Sequence, residues 1–494
     1  MHHSRNILAL LSLAVCLAGC GLSQQSRSGD SDRSVISAQQ ADKEATIRQT
    51  SYEQKTVAKP EPQPEAKKEP EPKQRIDLPT AIALCTLQNF RLQADATRIG
   101  QAEANLLSAS LIPNATLFTD GQFIPLQHTD INNQLGPPQM DALVTIPIDW
   151  LVFGKRVAAT QAERLGVTVV RAGHDDLVRR TTAETVDRFY EVLQAEEFLK
   201  LAEKSYEEMK ELQEQVGKLV AAGKAGEIET KRVRLEALEA MLNVHGRELD
   251  LASAKAKFRP LIGRSATDPD FDCVGKLEVK AVVPPPNLAE ALTLAEAHRP
   301  DLHAARMAIA HAEAATSLER RRAKPQVAVQ PGWSYQFQRP INGFPNGSML
   351  DIGLSVTLPI TDRNQGNIRR AELQARERAF TYEADRADIL AEVEIVIAAY
   401  DDAVEDVTEN NDPATLRDAL ELHAKIEAEF RAGNRKLVEV LDAHRAYRDR
   451  VARVVEFEAT YWRMLNRLNA AVGLSAYDHE RSMKRPVKYD EKKP

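Results

Sequence analysis

Two stretches of the chain carry small or apolar residues at helical spacing over an unusual length. Val192, Ala195, Leu199, Ala202, Tyr206, Met209, Val216 and Val220 recur three or four residues apart, broken only by Gln213. Leu390, Val393, Ile397, Tyr400, Val404 and Val407 repeat the pattern further on. The other positions are heavily charged, so a narrow seam packs in coiled-coil fashion while a broad face meets water. No proline interrupts the chain from Lys155 to Ala222. At 1.5 Å per residue a helix there reaches ~100 Å. Ahead of each long helix the period drops to two. Ile352, Leu354, Val356 and Leu358 alternate with smaller or polar residues, as a strand with one lipid-facing side requires. Strands are predicted over 115–124 and 141–149, and again over 326–338 and 350–360. The connection 339–347 is rich in turn formers, so each pair reads as a hairpin.

The whole pattern is written twice, about 210 residues apart. Leu78-Pro79-Thr80-Ala81-Ile82-Ala83-Leu84 returns as Leu288-Ala289-Glu290-Ala291-Leu292-Thr293-Leu294, and Ala102-Glu103-Ala104 as Ala312-Glu313-Ala314. Val144-Thr145-Ile146-Pro147-Ile148 reappears as Val356-Thr357-Leu358-Pro359-Ile360, and Ala222-Gly223 as Ala432-Gly433. The copies span 76–283 and 284–474 and join at the run Pro284-Pro285-Pro286. Each reads as helix, two strands, long helix, turn, helix. Gly223 and Gly433 sit where those long helices end, and glycine tolerates the left-handed backbone that stops a helix.

The amino terminus adds a destination. Arg5, an apolar run from Ile7 to Val15, and Leu17-Ala18-Gly19-Cys20 form a lipoprotein signal, too short to span a bilayer and ending in small residues. Residues 1–19 should be removed and Cys20 lipidated. Residues 20–75 are a polar tether with proline at every second position in Lys59-Pro60-Glu61-Pro62-Gln63-Pro64, too poor in apolar surface to fold. Residues 475–494 form a polar tail. Cys85 and Cys273 remain as a disulfide pair or as two free thiols. The net charge of -7, with no basic domain, argues against nucleic-acid binding. No later stretch is long and apolar enough for a membrane helix, so a membrane could be crossed only by a closed β-barrel.

Four strands cannot close such a barrel, and their free edges would leave backbone groups unpaired in hydrocarbon. Neighbouring copies must complete the ring. No catalytic constellation, phosphate-binding loop or nucleophile elbow is present, and neither a cofactor nor a metal site is expected. His298, His303 and His311 scatter over more than one face of a helix, and His174-Asp175-Asp176 reads as a solvated helix face. Glu439 and Asp442 are three apart on one helix face, with Arg435 one turn before Glu439. In a symmetric oligomer each carboxylate becomes a ring of like charge. Glu229 holds the comparable place in the first copy.

The segment Phe430-Arg431-Ala432-Gly433-Asn434-Arg435-Lys436-Leu437-Val438-Glu439-Val440-Leu441-Asp442-Ala443 resembles the second-repeat turn of the TolC-like outer-membrane efflux proteins. Pro147-Ile148-Asp149-Trp150 with Phe153-Gly154, and the stretch from Pro359 to Ile368, resemble that family's barrel-to-helix crossings, the second closer to its heavy-metal branch. The resemblance covers about residues 76–474. It implies an α+β, mainly α homotrimer: a twelve-stranded β-barrel continued by a periplasmic α-helical barrel, lipid-anchored in the outer membrane. The function implied is that of a passive duct, not an enzyme, receiving metal ions or drugs from an inner-membrane pump through a periplasmic adaptor. It also implies a periplasmic gate at Arg435, Glu439, Asp442 and Glu229, and adaptor contact at Gly223, Lys224, Gly433 and Asn434. The sequence departs from the family in its long tether, its low aromatic content and Asn410-Asn411-Asp412-Pro413, which interrupts the second long helix. The competing readings are a lipid-anchored periplasmic coiled coil without a pore, or an adaptor itself; two hairpin copies without compact β-domains set the chain apart from the latter.

Overall fold

The repetition in the sequence returns as a repetition of elements. The computed structural model describes residues 74–124, 138–223, 226–338, 345–409 and 412–474. The expected signal peptide, Cys20, the tether up to residue 73, Lys224 and the polar tail lie outside these residues. The first copy runs β1 (Gln74–Ile76), α1 (Leu78–Gln88), α2 (Phe90–Ser110), β2 (Thr116–Gln122), β3 (Gln139–Pro147), the single turn α3 (Asp149–Val152), α4 (Lys155–Ala221) and α5 (Glu227–Phe258). A 3-10 turn at Arg259–Ile262 and strand β4 (Phe271–Cys273) close it. The second copy runs α6 (Leu288–His298), α7 (Pro300–Arg322), β5 (Gln326–Gln336), β6 (Gly347–Thr357), α8 (Gln365–Thr408), α9 (Pro413–Arg431) and α10 (Leu437–Ala471).

Local chemistry places the helix starts. The Asp77 carboxylate accepts the Thr80 N–H at 3.0 Å to open α1. The Asn89 side chain accepts from Arg91 and Leu92 to open α2, and Asn287 does the same for Ala289 in α6. Helix α4 continues unbroken for 67 residues, ~100 Å. Its counterpart is split at the point the sequence marked: Asp412 caps the Ala414 N–H at 2.9 Å, and Pro413 opens α9.

Of the predicted seam, Val192, Ala195, Ala202, Met209 and Val216 are buried, while Leu199, Tyr206 and Val220 are half-buried. Three apolar clusters hold the helices together. One gathers α1, α4, α5 and the β1–β4 pair around Phe189, Phe258 and Phe271; one gathers α6, α8 and α10 around Tyr400 and Tyr461. The third, built from Met209, Leu212, Val216, Val233, Phe430, Leu437 and Leu441, packs the far ends of α4, α5, α9 and α10.

The described residues open with β1, which pairs in parallel with β4 (Gln74↔Phe271, Ile76↔Cys273). One expectation is corrected. His174-Asp175-Asp176 is not a solvated face: only Asp175 is exposed. Asp176 is 2% exposed and grips Arg179 and Arg180, each at 2.6 Å, while His174 Nδ1 lies 3.1 Å from Asp95. The alternative left open for the cysteines also resolves. Both are free and buried, and burial raises both thiols, Cys273 to about 12. No described helix is long and apolar enough to cross a membrane.

Candidate functional site

The two hairpins join in one antiparallel sheet of order β2-β3-β5-β6, so β2 and β6 each keep an edge unpaired within the chain. Register makes the two faces chemically different. Leu354 opposes Val329, Ile352 opposes Pro331, Leu350 opposes Trp333, and Val329 in turn opposes Ile146. Leu350 and Ile352 are 76% and 78% exposed, so this apolar face lies bare. The opposite face is polar and internally bonded. Gln122 and Gln139 both donate to Asp141, Gln336 donates to Gln139 at 3.0 Å, and Gln330 donates to Thr145 at 3.2 Å. Alternation of bare apolar and networked polar faces is what a strand between lipid and a watery lumen needs.

Aromatic residues bound the apolar face at both ends. Trp333, Tyr335 and Phe337 follow one another at strand spacing, with ring centroids 5.8 and 4.8 Å apart. At the helix end Trp150 donates to the Pro147 carbonyl at 2.9 Å and stacks under Arg156. Rings with a polar handle favour the two membrane–water boundaries. Pro331 has no N–H for the β3–β5 ladder, whose pairing skips from Leu143↔Gly332 to Ile146↔Val329 without a change of register.

At the other end of the molecule lies the helix tip. Gly433 (φ +82°) and Gly223 (φ +71°) both take the left-handed conformation expected of them. After α9 the Gly433 N–H donates to Phe430 O at 2.8 Å and the Asn434 N–H to Glu429 O at 2.9 Å, a complete Schellman turn. The sequence foresaw Arg435 one turn before Glu439, and the pair forms: Nη1 lies 2.8 Å from Glu439 Oε2. The same guanidinium donates through Nε to Glu429 at 2.6 Å. Arg435 therefore bridges two carboxylates of its own chain, and its hydrogen bond holds Glu429 below the usual carboxylate range. Asp442 is more open, with Arg445 at 3.7 Å. Glu229 occupies the same third position of α5 that Glu439 occupies in α10, but it folds back to accept the Gly226 N–H at 3.1 Å. Its carboxylate serves as a helix cap.

Sequence reading missed a second cluster. His298 and His303 are exposed, His311 is half-buried, and the three do not converge. Glu208, His423 and His444 do, from three different helices. The available signal was His444 itself, which continues the apolar spacing of Leu437, Val440 and Leu441 into the interior.

A four-stranded sheet with opposed faces, continued by paired helices of this length, is the architecture of one subunit of a channel. The sequence profile of the outer membrane efflux protein family matches residues 291–474. The chain is 28% identical over 315 residues to the cobalt-zinc-cadmium resistance protein CzcC of Cupriavidus metallidurans, covering 64% of this chain and 70% of that one. It superposes on the crystal structure of CusC with a TM-score of 0.65 at 18% identity, covering 85% of this chain and 98% of that one. The Campylobacter jejuni CmeC outer membrane channel gives a TM-score of 0.65 at 16% identity, covering 87% and 97%. Residues 291–474 thus match the outer membrane efflux protein family, and the chain shares the fold of these solved outer-membrane channels.

Proposed function

We propose that three copies of the chain close their sheets edge to edge into a twelve-stranded barrel, anchored by a lipid on Cys20, whose helices extend the lumen into the periplasm. The single observation that carries the reading is the open sheet: a bare apolar face, a networked polar face and two unpaired edges. A second apolar surface supports it. On α5, Ile228, Leu235, Leu242 and Leu249 fall seven residues apart and are 76%, 67%, 59% and 72% exposed. That is a coiled-coil seam without a partner in its own chain, suited to a neighbouring copy. The tips at Gly223, Lys224, Gly433 and Asn434 face an adaptor, which links the duct to an inner-membrane pump. Arg435, Glu439 and Asp442 form the gate; Glu229 contributes its carboxylate only by giving up its cap.

The cargo is a divalent heavy-metal cation, a reading supported by the similarity to CzcC and by no contact within this chain. Planar-bilayer recording of the purified oligomer, with its mass measured in detergent, tests the duct. A trimer that conducts supports it, and a non-conducting monomer sinks it. Deletion of the gene tests the cargo, through the cell's tolerance of zinc, cobalt and cadmium.

A further inference from the structure

The cluster on α4, α9 and α10 has the makings of a metal site. One carboxylate oxygen of Glu208 and one ring nitrogen each of His423 and His444 lie within 4.8 Å of one another. His444 is 4% exposed. Its Nδ1 approaches Glu208 Oε2 to 3.2 Å, yet the direction is wrong and this buried nitrogen makes no hydrogen bond. Its Nε2 lies 2.9 Å from Ser205 Oγ, itself buried. In the tautomer whose Nε2–H donates to Ser205, Nδ1 turns a lone pair toward the carboxylate, and a cation between the two acceptors completes the arrangement. Metal-bound histidines are held in this way, the far ring nitrogen donating to a neighbour and so fixing the tautomer.

His423 is held in place as well. Its ring stacks on Tyr447, with centroids 5.4 Å apart and planes 12° apart, and leans on the His444 ring at 5.4 Å. Lys204 Nζ stands 3.8 Å from Glu208 Oε1 and 3.4 Å from the Tyr447 hydroxyl. Its side chain is 57% exposed and free to swing away from an arriving cation.

We propose that Glu208, His423 and His444 bind a divalent transition metal of borderline softness, zinc or cobalt, with a fourth position left to water. Two imidazoles and one carboxylate suit such ions and exclude calcium or magnesium, which take oxygen ligands. Donors around tetrahedral zinc sit roughly 3.3 Å apart, so rotations of about 1 Å at the side-chain ends close the site. Bound there, the metal ties α9 and α10 of the second repeat to α4 of the first. This site stands on its own geometry and does not depend on what the duct exports.

The test uses the full-length oligomer in detergent, stripped with chelator and titrated with cobalt chloride. Four-coordinate cobalt gives strong visible bands, and zinc chloride should abolish them at one equivalent per chain. Zinc X-ray absorption on the unaltered protein should show two imidazole ligands. Glu208→Gln and His423→Gln should each weaken binding by about 100-fold or more. His245→Gln, in the exposed pair with Glu248, should change nothing. Melting in chelator should leave Glu208→Gln folded; if it does not, the absorption spectrum of the unaltered protein decides alone. Absence of a stoichiometric bound metal, a spectrum without imidazole, or equal binding by the two folded ligand variants would overturn the proposal.

Discussion

Tyr400 and Tyr461 hold the two sides of one residue: the Tyr400 hydroxyl donates to Val283 O at 2.7 Å, and the Tyr461 hydroxyl accepts the Val283 N–H at 3.0 Å. Val283 is the last residue before the proline run that joins the repeats. The two rings are fully buried, 5.8 Å apart, in the core of α6, α8 and α10. The linker is thus clamped to the second repeat through its backbone. Tyr461→Phe leaves the Val283 N–H without that partner and should cost about 1–3 kcal/mol. Tyr400→Phe should cost less, since a carbonyl tolerates the loss better than an N–H. Chemical denaturation of the two single variants and the double variant checks the ranking, and additive costs would show that the hydroxyls do not act as a unit.

Oligomerisation should fail when the exposed seam on α5 is charged. Leu235→Glu and Leu242→Glu replace residues that are mostly exposed in their own chain, so the single chain should keep its helix content. Size-exclusion with light scattering should report monomer for the double variant. A trimer that survives both changes would place the subunit contact elsewhere.

Removal of Arg435 frees two carboxylates at once, Glu429 and Glu439, because it bridges both. In the proposed three-fold ring that adds repulsion at the tip. Arg435→Ser should raise leak conductance, while Glu439→Ala with Asp442→Ala should weaken cation selectivity. Unchanged single-channel records for both variants would return these residues to the role of an ordinary charged helix surface.

Acid should loosen the second repeat through Asp301. Burial disfavours its charge, but Arg299, with Arg179 behind it, outweighs burial and holds its pKa below the ordinary 3.8. A carboxylate depressed in the folded state stabilises in full above its unfolded pKa, and the contribution is lost as pH falls through the folded pKa. Asp301→Asn should cost about 2 kcal/mol at neutral pH, less than a fully broken buried pair because Arg299 keeps Glu392 at 2.7 Å. The gap between the variant and the parent should close below pH 3.8. A gap that stays constant down to pH 2 would remove Asp301 from the acid response.

The long elements were legible in the sequence because their signals extend over many residues. Lys155 to Ala222 lacks proline and ends in a glycine, and the helix found there stops at Ala221. The strands came within a few residues because alternation fixes their register, though β6 starts at Gly347 and not at Leu350. The β1–β4 pair was invisible, since three residues carry no measurable period and the pairing joins positions about 200 apart. The tip glycines were readable for a backbone reason that composition alone reveals. The Glu208, His423 and His444 cluster was not, because its members lie on three helices and only packing brings them together. Glu229 shows the opposite case: its equivalence to Glu439 was visible, but its use as a cap depends on Gly226 lacking a side chain to do the work.

The split between α8 and α9 has a mechanical side. The first repeat answers it with a single rod of 67 residues, whereas the second is jointed at Asp412 and Pro413, about two-thirds of the way along. A continuous helix bends only by stretching many hydrogen bonds slightly, but a joint turns by changing a few backbone dihedrals. Bending of a single chain is therefore easier in its second repeat than in its first. In the proposed tube, that inequality would make deformation directional.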